Sequence, residues 1–411
     1  MQINIIYRIL YIILSFSLLI GFYFGEDSSG SGGFINDFRN TWPLVINPFD
    51  EGLISRLDFK FPLHYYLMFS LNNIIKDQYT LRALFCIASI SVPFLFYLCL
   101  KNKFHNINKN NTFLFSLIIF LLPSFRSGAI WANTQITALI FFLLSLLFFL
   151  KNINKQNKNI INFNLVMSLI FLSLAVYSRQ LYALVFLYYV FYFYRNLNLK
   201  FFIIVCAIIF LFSIPGLIFV TQHPRILTTT VDNTFYNSLL INCSILSFYL
   251  LPFYFTLIFF KKLKLKEIFS GNLNNVIVLV LISLIFLYFF NYNYKLGGGF
   301  FLKLSVILFD NLYLFYLSSL AGVILLSSLA KEKIDNLVII FLLLFGFTSY
   351  AIFQKYFEPM FIILLFILFQ TEKTKFLLDN KKTIFTYQLY FFIYLLSAII
   401  NDVYQITKNL N

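Results

Sequence analysis

The chain has 411 residues, 60% of them apolar and only 11% charged, with a formal net charge of +15. An average soluble domain carries roughly a quarter charged residues, so this composition excludes a soluble globular protein, whose surface so few charges do not cover. The positive balance does not point to nucleic acid, because the Lys and Arg fall in short loops between apolar runs, where they set topology.

Apolar runs recur along the whole chain at about 20 residues, the length that crosses ~30 Å of hydrocarbon as a helix. A membrane barrel would instead show ~10-residue segments of alternating polarity. The predicted spans are 5–24, 80–100, 112–125, 129–150, 164–177, 180–194, 201–221, 238–260, 275–291, 304–328, 336–353, 358–370 and 385–402. The fold class is therefore an all-α polytopic membrane protein of about 11–13 transmembrane helices, read as a single membrane domain over 1–411. The first run carries Arg8 near its start and lacks a small-x-small cleavage site, which favours an uncleaved first helix over a signal peptide.

Gly25 to Lys60 is the longest polar stretch. It begins GEDSSGSGGFINDFRNTW, with Glu26 and Asp27 immediately beyond the first helix and Asp37 ten residues after Asp27. The glycine and serine run permits a tight, irregular backbone, and FINDFRNTW suits a short amphipathic helix on the membrane surface. Residues 61–75, FPLHYYLMFSLNNII, are apolar but short and contain Pro62 and His64. The four cysteines, Cys86, Cys99, Cys206 and Cys243, lie in apolar runs with no CxxC spacing and read as small core residues.

Charge orders these segments. If 61–75 does not span, the loops 101–111, 151–163, 195–200, 261–274, 329–335 and 371–382 share one side and hold 18 of the 31 Lys and Arg. The positive-inside rule makes that side cytoplasmic. The loop 25–79 is then exterior, with its juxtamembrane segments inserted after helix one. The exterior face also carries isolated cations at Arg126, Arg179, Arg225, Lys295, Lys303 and Lys355. Six cations there, against the topology rule, suggest a surface that holds a phosphorylated ligand, although some will snorkel to lipid headgroups.

Several of these features resemble the GT-C class of membrane glycosyltransferases, which use polyprenyl-phosphate-linked sugars. The nearest branch is that of the protein O-mannosyltransferases and the lipid-A aminoarabinose transferase. Glu26-Asp27 stand where members place an acidic pair. Phe34–Trp42 resembles their juxtamembrane helix, and Phe61-Pro62-Leu63-His64-Tyr65-Tyr66 a histidine–proline segment, here with the His after the Pro. SGAIWANTQITALIFFLLSLLFF (127–149) resembles a family helix that opens on Asp-Pro, with Asn133-Thr134 in that place. In LAVYSRQLYALVFLYYV (174–190), Ser178-Arg179 replace a Thr-Lys helix break, and QKYFEPMFIILLF (354–366) resembles a late family segment.

The resemblance implies a GT-C-like bundle and inverting transfer of a sugar from a polyprenyl-phosphate donor to a lipid, glycan or protein acceptor. It implies Asp27 as general base, with Glu26 as its partner and Asp37 in reserve; because adjacent residues point in different directions, one of the pair is the catalytic one. The alternative for each is an exposed loop carboxylate or a ligand of a divalent cation, Mg or Mn. A departing phosphate needs fixed positive charge, and Arg179, in a polar break between apolar stretches, is the first candidate through its fork of donors. Lys355, Arg225 and Lys303 are further phosphate candidates. His64 either orients a substrate or is a satisfied interfacial histidine. Asp310, inside the run 304–328, must find a partner or stay protonated.

Two rival readings remain: an O-antigen polymerase or ligase, which would carry its large exterior loop late in the chain, and a lipid-linked oligosaccharide flippase, which would show matching halves. The expected location is a bacterial inner membrane with the site on the periplasmic face. A fusion reporter placed within 101–111 is expected to read cytoplasmic; an exterior signal there would overturn the topology.

Overall fold

A computed structural model describes residues 3–28, 33–50, 61–154, 161–223, 235–261, 273–292, 297–346 and 351–410. Every regular element among them is a helix. Seven are long and apolar enough to cross a membrane: Ile5–Phe24, Gln78–Lys103, Thr134–Asn154, Leu199–Gln222, Phe235–Phe260, Tyr313–Ala330 and Lys381–Tyr404. The chain is a multi-pass membrane protein.

Contacts within the chain gather into two compact units, 1–226 with 388–411, and 227–387. The first unit opens with α1 (Ile5–Phe24), whose first turn is capped by the Asn4 side chain. Two short helices follow, α2 (Gly33–Arg39, a wide π-type turn) and α3 (Trp42–Ile46). α2 falls within the stretch 34–42 expected to be one short helix but for its first residue, whereas α3 runs beyond that stretch, and Leu44 and Val45 pack with Tyr65, Met68 and Leu81. α4 (Leu63–Ile75) covers the ambiguous apolar segment. Its 13 residues rise only about 20 Å, too little to cross the hydrocarbon alone.

α5 (Gln78–Ser89) and α6 (Ser91–Lys103) form one long span. Asp77 caps it, and bonds from the Thr80 hydroxyl and amide hold the Asp77 carboxyl below the usual carboxylate range.

The run 112–125 departs from the straight span expected of it. α7 (Lys109–Ser116) continues through a tight turn to Leu121, and α8 (Pro123–Ile130) leaves at 68°. The cause is Pro123. It has no amide to donate, and Leu122 before it is extended at φ −94, ψ 115, as a residue preceding proline prefers. All eight residues of α8 are buried, so the break lies inside the protein, where irregular backbone at membrane depth is tolerated.

α9 (Thr134–Asn154), α10 (Phe163–Ser178), α11 (Ala183–Asn196) and α12 (Leu199–Gln222) complete this run of helices. Apolar attraction does little to join helices in lipid, so packing and polar contacts do the joining. The Ser145 hydroxyl on α9 donates to the Ser168 carbonyl on α10 at 2.7 Å and lies 3.0 Å from the Tyr189 hydroxyl on α11. Beside it the Phe149 and Tyr189 rings stack at 4.2 Å.

The second unit contains α13 (Phe235–Lys261), α14 (Leu273–Tyr288), α15 (Gly299–Phe309), α16 (Tyr313–Ala330), α17 (Ile334–Phe345), α18 (Met360–Ile367) and α19 (Glu372–Asp379). α13 and α16 are joined through Ser244–Ser318 at 2.6 Å and Ser319 to the Leu240 carbonyl at 3.1 Å. Here the run 304–328 is two helices, not one span. α15 ends at Asp310, which takes the left-handed cap conformation at φ 48, and α16 restarts at Tyr313. Asp310 is exposed at this break, so it is not the mid-span carboxylate that needed a buried partner. α20 (Lys381–Leu410) begins in this unit and belongs to the first from Gln388 onward. There Gln388 donates to the Leu114 carbonyl at 2.7 Å.

Because Asp310 is exposed with positive φ, Asp310→Gly is expected to change stability by no more than about 0.5 kcal/mol. Asp310→Val, a β-branched residue forced into the same conformation, should lose about 1–3 kcal/mol. The thermal midpoints of the detergent-solubilised variants distinguish the two.

Candidate active site

The first residues after α1 are placed by the way that helix ends. Gly25 adopts φ 69 and donates to Phe22, while the Glu26 amide donates back to Gly21 at 2.9 Å. This is a Schellman motif, which a glycine at that position favours. It turns the chain sharply, so that the side chains of Glu26 and Asp27 reach different partners.

Glu26 meets Arg126 of α8. The guanidinium grips the carboxylate with two parallel bonds, Nε to Oε1 at 2.8 Å and Nη2 to Oε2 at 2.6 Å, and the side chains are only 9% and 5% exposed. Arg126 also donates to the Ser17 hydroxyl at 3.1 Å and the Ser17 carbonyl at 3.0 Å. With these four bonds the pair is geometrically complete, as a buried ion pair must be to repay its desolvation. Gly21 makes room for it, since a Cβ there would overlap the Glu26 carboxylate and sit 3.0 Å from Arg126 Nη2.

Asp27 points elsewhere. Its Oδ1 accepts from the Ser127 hydroxyl at 2.9 Å and its Oδ2 from the Phe34 amide at 3.2 Å. Its own amide donates to Asp402 Oδ2 on α20 at 2.8 Å. Gly33 lies against this arrangement so closely that a Cβ would stand 2.5 Å from Ser127 Oγ and 2.7 Å from Asp27 Oδ1. The glycine-rich sequence after the acidic pair therefore has a steric purpose, at least at this position.

An aromatic and cationic wall stands beside the two carboxylates. Trp131 donates from its ring nitrogen to the Glu26 carbonyl at 3.0 Å. The Arg82 guanidinium lies 3.9 Å from the Trp131 ring centre and 5.0 Å from that of Phe38, a cation–π arrangement, and bonds the Ile130 carbonyl. Phe34 packs against Trp131 with ring centres 4.9 Å apart.

A second polar group gathers on the first turn of α9. Asn133 caps the Gln135 amide at 2.9 Å, and the Gln135 side-chain oxygen accepts from Arg179 Nη1 at 3.3 Å. One turn along α9, Thr137 lies 2.8 Å from Nδ1 of the buried His64. Arg179 and His64 thus converge on one helix start, which the α8–α9 turn connects to Ser127 and Trp131.

Other expected residues fall elsewhere. Asp37 lies on α2, but its side chain is outside the described residues, as are Arg225 and Lys295 entirely. Lys303 is exposed on α15, and Lys355 lies in the turn Gln354–Tyr356 with its ammonium 5.7 Å from the Phe353 ring centre. Both belong to the second unit, whereas Arg179 belongs to the first. Arg126, expected as an isolated exterior cation, is the buried partner of Glu26. Among the described residues there is no group of three or more His, Cys, Asp or Glu that could hold a metal ion.

Sequence reasoning missed Arg82, Ser127, Trp131 and Asp402. A signal for Asp402 existed: under the topology expected from charge, a last span that starts at Lys381-Lys382 ends on the face that holds Glu26. Compared with known proteins, the chain matches no family model, no curated sequence and no solved structure.

Glu26→Gln or Arg126→Met alone leaves one buried charge uncompensated and is expected to cost about 3–5 kcal/mol. The double variant should be less destabilised than the sum of the two single changes. A thermal-shift double-mutant cycle in detergent measures this coupling, and strict additivity would refute it.

Proposed function

We propose that the chain is an inverting glycosyltransferase that moves a sugar from a polyprenyl-phosphate donor to a lipid, glycan or protein acceptor at the exterior membrane face. The bundle would take a further crossing from the bent α7–α8 pair and others from shorter apolar helices lengthened by their flanking residues, such as Phe163–Ser178. A bacterial inner membrane, with this face periplasmic, is the setting that the charge distribution favours.

The observation that carries the reading is the division of labour between the adjacent carboxylates. Glu26 is committed to Arg126, while Asp27 is oriented by a hydroxyl and an amide beside the Trp131–Phe34 pair. In this reading Asp27 is the general base, which takes the proton of an acceptor hydroxyl as the hydroxyl oxygen attacks the anomeric carbon. The bond from that carbon to the donor's phosphate oxygen breaks, and the phosphate leaves with the lipid. Arg179, bonded to the neutral Gln135 side chain, supplies positive charge where negative charge grows. The aromatic rings offer faces to the sugar, and the lipid tail remains in the bilayer.

Asp27→Asn is expected to keep expression and thermal midpoint near those of the parent. It should lower transfer from a panel of polyprenyl-phosphate sugars by about 100- to 10,000-fold in reconstituted vesicles. Arg179→Gln should act mainly on turnover. Full transfer by the folded Asp27→Asn protein would remove the base assignment, and no transfer by the parent across the panel would remove the reading.

A further inference from the structure

The peptide unit that joins Glu26 to Asp27 is held at both of its polar edges by side chains from distant parts of the chain. Its carbonyl oxygen accepts from Trp131 Nε1 at 3.0 Å, and its N–H donates to Asp402 Oδ2 at 2.8 Å. A trans peptide is planar, with its carbonyl and N–H on opposite edges, so two such contacts fix the plane. The turn that ends α1 does not supply them, because it uses the Gly25 and Glu26 amides of the preceding peptide units. Water would satisfy the same two groups without giving them a direction.

Both clamping side chains are themselves restrained. The Trp131 ring packs against the Arg82 guanidinium at 3.9 Å and the Phe34 ring at 4.9 Å, and its backbone amide donates to the Ser127 carbonyl at 2.9 Å. Asp402 is carried by α20, which Gln388 ties to the Leu114 carbonyl. The Ser127 hydroxyl and the Phe34 amide then hold the two oxygens of the Asp27 carboxylate. Backbone and carboxylate of Asp27 are thus restrained by separate contacts. With the peptide plane fixed, rotation of the backbone no longer redirects the side chain.

We propose that Trp131 and Asp402 are positioning residues for Asp27, clamping the Glu26–Asp27 peptide so that the carboxylate is aimed at the acceptor hydroxyl. The inference rests on the glycosyltransferase reading. Asp402 acts through an acceptor oxygen and not through its charge. Trp131 acts through its ring N–H and not through its face.

Two measurements on the full chain test this: hydrogen exchange in detergent, and transfer in vesicles from the polyprenyl-phosphate sugar that the parent uses fastest. Asp402→Ala should speed exchange at the Asp27 amide and lower kcat about 100-fold, with the donor KM unchanged. Asp402→Asn keeps an acceptor oxygen, so it should retain the protection and hold kcat within about fivefold of the parent. Trp131→Phe keeps an aromatic face and loses the N–H; kcat should fall about 10-fold at unchanged KM. Asp402→Asn as impaired as Asp402→Ala would overturn the proposal, because charge would then be what matters. So would unchanged exchange in Asp402→Ala, or faster exchange with kcat intact. A raised KM at unchanged kcat in Trp131→Phe would remove Trp131 from the clamp. If that variant fails to fold, the two Asp402 variants decide. A parent that transfers no sugar would refute the glycosyltransferase reading and the positioning role with it, while exchange in Asp402→Ala still reads the clamp itself.

Discussion

The first unit is organised around an ion pair that a low-dielectric interior tolerates only when it is fully bonded. Glu26 and Arg126 lie 100 residues apart, one at the end of a membrane helix and the other in a helix bent out of its path by Pro123. Neither charge would be stable alone at that depth. Each therefore constrains the other, and with them the end of α1, the bend at Leu122–Pro123 and the small residue at Gly21. Once the pair is formed, the Ser127 hydroxyl on the same short helix and the Trp131 ring at its end are brought against the acidic loop.

This arrangement separates holding from acting. The strongest contacts at the loop are made by Glu26, which leaves the neighbouring carboxylate to weaker and more directional partners, a hydroxyl and an amide. Arg82 is held mainly by ring faces and a carbonyl, and Arg179 leans on a neutral amide side chain.

Much of this was legible in the sequence, for identifiable reasons. Composition and run length establish a helical membrane protein because the thickness of hydrocarbon leaves few alternatives. The short surface helices after helix one could be read because their polarity changes sharply. The bend at Pro123 was also readable in principle, since proline before a polar SFRS stretch cannot sit quietly in a span. The pairing of Glu26 with Arg126, by contrast, is a contact across 100 residues, and a single sequence says nothing of which charge faces which. The run 304–328 misled because apolar content hides a left-handed residue such as Asp310, whose effect is on backbone direction and not on hydropathy. Two compact units were invisible for a similar reason: uniform apolarity blurs the composition shifts that mark boundaries in soluble chains.

The bond from the Asp27 amide to Asp402 spans 375 residues. At ribosomal rates of about 5–20 residues per second, the acidic loop waits roughly 20–75 s after its own synthesis before its last partner exists. During that interval the helices that precede α20 are already being delivered to the bilayer, and the loop is held by Arg126, Ser127 and Phe34 without the closing carboxylate. Assembly of this corner is thus timed by the arrival of the final helix, and a nascent chain arrested before it carries an unfinished loop.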